Sequence, residues 1–111
     1  MSRDFPESDW RKFRELHEIA LERFCERTLK GVTRTSAAEG QTAHQRYLKV
    51  YRLIHKRDKE LADAFNDPRR SMALLQLMMI VSLKLITSEE LASFSPTTQQ
   101  SVATLLDVGR S

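Results

Sequence analysis

The sequence predicts an all-α protein: a small helical bundle of two long antiparallel helices, one apolar helix and a short helical tail. Glycine and proline each occur only three times in 111 residues, and such scarcity of helix breakers favours long helices over a turn-rich β fold. The content of 41% hydrophobic and 30% charged residues is that of a folded protein. Apolar residues recur at helical spacing, so we expect one helical domain, residues 1–111, with helices at about 8–38, 42–66, 68–86, 88–94 and 96–108.

The first predicted helix begins near Ser8, which is a good N-cap, and Asp9 follows in the first turn, where the helix dipole favours an acid. At about 100° per residue its apolar side chains share one broad side. They are Trp10, Phe13, Leu16, Ala20, Leu21, Phe24, Cys25 and Val32. The segment TRTSAAEGQT, which includes Gly40, indicates the end of this helix and a loop.

The second predicted helix runs from about Thr42 to Phe65 and turns back on the first through a short loop, so the two should be antiparallel neighbours. Its apolar side comprises Ala43, Tyr47, Val50, Tyr51, Ile54, Leu61, Ala62 and Phe65. The helix stops at the sequence AFNDPRR. Asp67 followed by Pro68 is typical of an N-cap and a first helical position, which predicts the start of the third helix there.

The third predicted helix contains SMALLQLMMIVSLKLI, residues 71–86, and is apolar on nearly every side. The tail follows in two short helices. Thr87 with Glu90 three residues later forms a capping box, and Ser95 followed by Pro96 predicts a new helix start.

The apolar third helix raises the question of what covers it. Leu74, Met78 and Leu85 share a side that the tail is predicted to be too short to cover, so a second copy of the chain is the expected cover. We therefore predict a homo-oligomer, with a dimer favoured. The alternative is that the tail wraps the helix completely and leaves a monomer.

Localisation is predicted from what the sequence lacks. The N-terminal stretch MSRDFPESDW has no apolar core typical of a signal peptide, and the apolar stretch is too short to span a membrane. A single cysteine, Cys25, fits a reducing compartment. These observations favour a soluble cytoplasmic protein without a membrane partner.

Two polar residues on apolar helix sides are candidates for chemistry. His17 and Asp58 lie at similar heights in the predicted hairpin, so they could form a buried polar pair. The functional interpretation is an acid–base pair or half of a metal site. The structural interpretation, a pair that fixes helix register, is preferred because no nucleophile or third ligand accompanies them. No catalytic residue, metal or cofactor is predicted.

Positive charge is concentrated in the middle of the chain. Residues 41–70 hold eight basic and four acidic side chains, a net of +4 that exceeds the +3 of the whole chain. The candidates for contact with nucleic-acid phosphates are Arg46, Lys49, Arg52, Lys56, Lys59, Arg69 and Arg70. A solvated charged face is the alternative, and no exposed aromatic residues are expected among these side chains.

Three stretches carry a resemblance: ALERFCER, RYLKVYRLIHKRDKELADAFNDPRRS and SPTT. They resemble segments of small bacterial all-helical proteins of unknown function. The resemblance implies no activity and transfers no catalytic residue. We therefore predict a non-enzymatic helical protein that self-associates and acts through protein–protein interaction or regulation. The alternative is a nucleic-acid-binding protein that uses the stripe from Arg46 to Arg70.

Overall fold

A computed structural model describes residues 5–110, with side chains to residue 109, and within that range the protein is all-α. The first four residues of the stretch inspected for a signal peptide lie outside the described range. Five α-helices and a short 3-10 turn (Arg70–Met72) follow one another along the chain. The helices are α1 (Glu7–Ser36), α2 (Ala43–Phe65), α3 (Ala73–Ser82), α4 (Ser88–Ala92) and α5 (Pro96–Arg110).

Helices α1 and α2 form the predicted antiparallel hairpin. Thr42 caps α2 through a capping box with Gln45, which holds the loop at the helix start. The Arg46 guanidinium donates to the Ser36 carbonyl across the loop. Farther along, a Cβ on Gly31 would lie 3.3 Å from the Leu53 side chain, so the absence of a side chain at Gly31 permits close approach of the two helices.

Helix α3 is shorter than predicted at its start. Asp67 has a positive φ of 51° and lies in a bend with Asn66, and Pro68 is not helical, so this pair does not form the predicted N-cap and first helical position. The reason is a long-range anchor: the Arg70 guanidinium donates to the Phe5 carbonyl and to Glu7. That anchor holds a 3-10 turn ahead of α3, and the local sequence pattern contains no sign of it.

The end of α3 also differs from the prediction, at Ser82 rather than near Ile86. Lys84 has φ 59°, its amide donates to Val81, and the Leu85 amide donates back to Ile80. This is the Schellman arrangement, in which a left-handed residue, usually glycine, ends a helix. Lys84 occupies that position here. Leu85 is consequently turned inward and is buried.

The tail follows the predicted pattern. The capping box of Thr87 and Glu90 starts α4, and α5 begins with Pro96 directly after Ser95. Helix α5 packs mainly on α3. Asp9, in the first turn of α1, fixes the start of α5. Its carboxylate accepts hydrogen bonds from the Ser95 amide, the Ser95 hydroxyl and the Thr98 hydroxyl.

The hydrophobic core occupies only one end of an elongated molecule of 58 × 30 × 25 Å. All five phenylalanines are buried there, together with Leu77, Ile80, Leu85 and Val102 among others. We call this end the base. Residues 25–63 contain no buried side chain. They form the rest of the α1–α2 hairpin, which extends from the base as a two-helix projection that we call the arm.

Candidate functional site

The arm carries an apolar surface that nothing in the described chain covers. The exposed fractions are 61% for Leu29, 60% for Tyr51 and 42% for Ile54, and Tyr47 is exposed as well. Scattered exposed apolar residues are common on proteins, whereas a contiguous group marks an interaction site. These four side chains surround two adjoining grooves between α1 and α2.

The two grooves share Ile54, and together we call them the arm groove. One, of about 470 Å³, lies toward the tip of the arm and is lined by Ser36, Ala43, Arg46, Tyr47, Val50, Tyr51 and Ile54. The other, of about 260 Å³, lies toward the base and is lined by Phe24, Cys25, Thr28, Leu29, Ile54, Arg57, Asp58 and Leu61. The lining is mainly apolar in both.

The sequence produces the arm groove because the apolar side of α2 is wider than the strip that α1 covers. Leu53 meets Gly31 on the α1 side. Tyr47, Tyr51 and Ile54 lie farther round the helix and remain exposed. Near the base, α3 joins the two long helices and supplies further cover. Beyond the base end of the arm, where Arg27 donates to the carbonyls of Leu83 and Lys84, no third element packs on the two helices within the described residues.

The structure does not bring His17 and Asp58 together as a buried pair. Asp58 is exposed on α2, at the edge of the arm groove. His17 is half-buried, and its Nε2 lies 3.0 Å from the Phe65 carbonyl oxygen, within hydrogen-bond distance. The backbone carbonyl at the end of α2 therefore replaces the predicted carboxylate partner. Within residues 5–109, no three His, Cys, Asp or Glu side chains are placed to hold a metal ion.

The seven basic candidates divide into two groups. Three make contacts within the chain: Arg46 with the Ser36 carbonyl, Arg69 with Asp67, and Arg70 with Phe5 and Glu7. The other four are exposed on α2 and make no hydrogen bond or ion pair with any described residue. They are Lys49, Arg52, Lys56 and Lys59, and we call them the α2 stripe.

An exposed ring pair lies beside the α2 stripe, where no exposed aromatic residues were expected. The Tyr51 and His55 rings are stacked, with centroids 6.0 Å apart and an interplanar angle of 10°. Both side chains are exposed. The two residues are four positions apart on one helix, and such residues are neighbours on the helix surface.

The candidates for self-association on the third helix occupy different surroundings from those predicted. Leu85 is buried inside the monomer, so it cannot contact a second copy. Leu74 and Met78 are half-buried. Met78 lies in a groove between α3 and α5, with Leu105 and Leu106 on the opposite side. The tail covers more of the third helix than predicted because the Schellman turn shortens that helix.

Two carboxylates with lowered pKa values tie the tail to α1. Hydrogen bonds from Arg23 and from the Thr87 amide lower the pKa of Glu90 to about 2. Burial raises the pKa of Asp9, but the hydrogen bonds from Thr98 and Ser95 outweigh burial and leave that pKa below its usual value. Both carboxylates have all their close partners within the fold, which indicates a structural role.

Comparison with known proteins adds no relative. No family model matches the chain, and no curated protein or solved structure does. The resemblance to small bacterial helical proteins therefore identifies no family. In the described part of the chain, every helix is too short or too polar to cross a membrane.

Proposed function

We propose that this protein is a non-enzymatic helical protein that acts through self-association, and that the arm groove is its contact surface. The observation that supports the proposal is the uncovered apolar surface of the arm, where Leu29, Tyr51 and Ile54 are exposed and residues 25–63 bury no side chain. Of the candidates on the third helix, Leu85 is buried, and Leu74 and Met78 are half-buried.

An arm of two helices has only one helix–helix interface. Most helical stability in proteins comes from packing an apolar side against other elements. The base meets this requirement with α3 and α5, but the arm has only α1 against α2. Two further helices placed on the arm groove would complete a four-helix bundle, which is a common stable arrangement.

A second copy of the chain is the occupant that fits the shape of the surface. A two-fold contact requires one patch to offer both protruding and recessed parts, because the same patch is present on both subunits. The arm offers both: the Leu29 and Tyr47 side chains at the groove edges are more than half exposed, and the adjoining grooves of about 470 and 260 Å³ are recessed. One arm can therefore supply side chains for the groove of its partner.

The size of the arm is also sufficient for a dimer. Residues 43–60 of α2 extend for about 27 Å at 1.5 Å per residue, and two neighbouring helices are about 20 Å wide. The face thus measures roughly 500 Å² in projection, and side-chain relief increases its accessible area toward the roughly 800 Å² per partner of a typical stable interface.

Light scattering at high micromolar concentration tests the proposal. The wild type should have twice the chain mass of 12.9 kDa. Ile54→Glu combined with Leu29→Glu should give a monomer, since a charge buried in the contact without a partner costs several kcal/mol. Both residues are exposed in the monomer, so the helical circular dichroism of the variant should remain unchanged.

Val108→Glu is the matched control, because Val108 is 67% exposed and lies in α5, outside the arm. This control should retain the mass of the wild type. A wild-type monomer at every concentration would overturn the proposal. Dissociation of the Val108→Glu variant, with the double variant still dimeric, would overturn the assignment to the arm.

A further inference from the structure

The α2 stripe combines four exposed cations that lack a partner in the described chain. Lys49, Arg52, Lys56 and Lys59 follow at spacings of three, four and three residues, so they form one row about 15 Å long on the helix surface. Asp63 follows one turn later and is an acidic residue at the base end of the row. Neighbouring cations in such a row repel one another, and an anionic ligand would remove that repulsion.

The row has a flat aromatic neighbour. His55 is exposed on α2, directly before Lys56 in the sequence and one helical turn before Lys59. Its ring is stacked on that of Tyr51. A ring stack held open to solvent provides a face on which a planar group can continue the stack. The surface therefore offers two kinds of contact side by side, with cations for phosphates and a ring for a base.

We propose that the α2 stripe and the Tyr51–His55 ring pair form a binding site for single-stranded nucleic acid. Proteins that bind single strands combine a row of positive charge, which follows the phosphates, with aromatic rings on which successive bases stack. Lys49, Arg52, Lys56 and Lys59 contact the phosphates. The His55 ring receives an unpaired base on the side facing away from Tyr51.

A duplex and an anionic membrane fit the surface less well. In a duplex the base faces are already stacked, so the ring pair would have no ligand. A membrane-surface helix buries its apolar side in the lipid with cations along the border. Here Lys59 is nine residues, or two and a half turns, from Val50, so the stripe and the arm groove are on opposite sides of α2.

Tyr51 also lines the arm groove, but its stacking partner His55 does not, and the four cations lie on the opposite side of α2. The residues proposed to contact the nucleic acid, His55 and the four cations, are therefore separate from the self-association surface. Contact between two arm grooves would leave both stripes on the outside of the assembly. Variants of the stripe should therefore keep the mass of the wild type, and the Leu29→Glu, Ile54→Glu variant should keep the four cations of the site. Failure of one proposal can thus be distinguished from failure of the other.

Fluorescence anisotropy with a labelled thymidine oligonucleotide of about 20 nucleotides tests the site. Four phosphate contacts predict that the logarithm of affinity falls with the logarithm of salt at a slope of about −2.8. Arg52→Glu with Lys56→Glu should weaken binding at least about tenfold at low salt and reduce the slope to about −1.4. His55→Ala should weaken binding about fivefold or more without changing the slope.

Matched controls have the same chemistry elsewhere on the arm. Lys30→Glu with Arg34→Glu produces an equal change of charge at two exposed residues of α1, and His44→Ala removes an exposed imidazole without a stacking partner. Both controls should bind like the wild type. The proposal is overturned by absence of binding at low salt, by an equal loss in the controls, or by equally tight binding to duplex or to phosphatidylglycerol vesicles.

Discussion

The base and the arm are built from the same two long helices, yet they differ in how many neighbours those helices have. In the base, α1 and α2 are joined by α3 and α5 around buried phenylalanines. In the arm, the same helices pack mainly on each other, and residues 25–63 bury no side chain. The exception is Arg27 at the base end of the arm, which donates to the carbonyls of Leu83 and Lys84. The comparison shows that a continuous helix can pass from a closed core to a surface that still lacks a partner.

Polar contacts follow the same division. Arg23 and Arg27 of α1 donate to carbonyls of residues 83–85 and to Glu90, and Asp9 binds the start of α5. Each of these contacts closes a long loop of chain, within the base for Asp9 and Arg23 and where the arm meets the base for Arg27. Beyond Arg27, the described residues of the arm have only local contacts, such as the capping box at Thr42, the contact between Arg46 and Ser36 and the ion pair of Arg57 with Glu60. We therefore expect stability to be concentrated in the base.

The largest expected effect is Phe13→Ala. Phe13 is fully buried, with Phe5 edge-on and Trp10 stacked against it. Removal of its ring should lower the free energy of unfolding by about 3–5 kcal/mol. Ile54→Ala in the arm should change it by less than about 1 kcal/mol for the monomer. Urea denaturation at low micromolar concentration measures both, and equal losses would contradict the division between base and arm.

A smaller loss is expected when the connection between α1 and α5 is removed. Asp9 is 2% exposed and accepts three hydrogen bonds. Asp9→Ala leaves the Ser95 and Thr98 donors without their acceptor, which should cost about 2–4 kcal/mol. Asp63→Ala, which removes an exposed acid in the arm, should change the midpoint of thermal unfolding very little. A similar shift for both variants would show that Asp9 does not hold the tail.

Stability should fall in acid through Glu90. Its folded-state pKa is about 2, below the usual 4.5, so its contribution is fully present above pH 4.5 and is lost as the pH falls toward 2. Because Arg23 is partly exposed to solvent, the contribution should be only about 1 kcal/mol. Glu90→Gln should reduce the slope of the free energy of unfolding against pH in that window. An unchanged slope would show that Glu90 does not cause the loss of stability in acid.

The smallest expected effect is a gain. Lys84 holds a left-handed backbone conformation with φ 59°, which costs a non-glycine residue about 1 kcal/mol. Lys84→Gly should therefore raise the free energy of unfolding by about that amount, while leaving the Schellman hydrogen bonds in place. A decrease in the temperature of unfolding would show that the lysine side chain makes a contribution that exceeds the backbone cost.

The sequence predicted the helical class, the hairpin and both tail caps, because apolar spacing and capping residues act over a few positions. It failed where distant residues determine the backbone. The Arg70 side chain donates to the Phe5 carbonyl. Leu85 is turned inward because Lys84 before it has the left-handed conformation that glycine usually takes. For the same reason the sequence did not show which apolar residues of α2 would be left uncovered by α1. That depends on how far the two helices extend beyond α3.

Hydrogen exchange at two protein concentrations tests whether the arm requires a second copy as its partner. Amides in residues 25–36 and 43–60 should exchange at least about tenfold more slowly at about 500 μM than at about 5 μM, because a second copy closes the arm groove at the higher concentration. Amides of α3 and the first half of α1 should not change. Arm amides that exchange at the same rate at both concentrations, with a monomer mass throughout, would show that the arm does not bind a second copy.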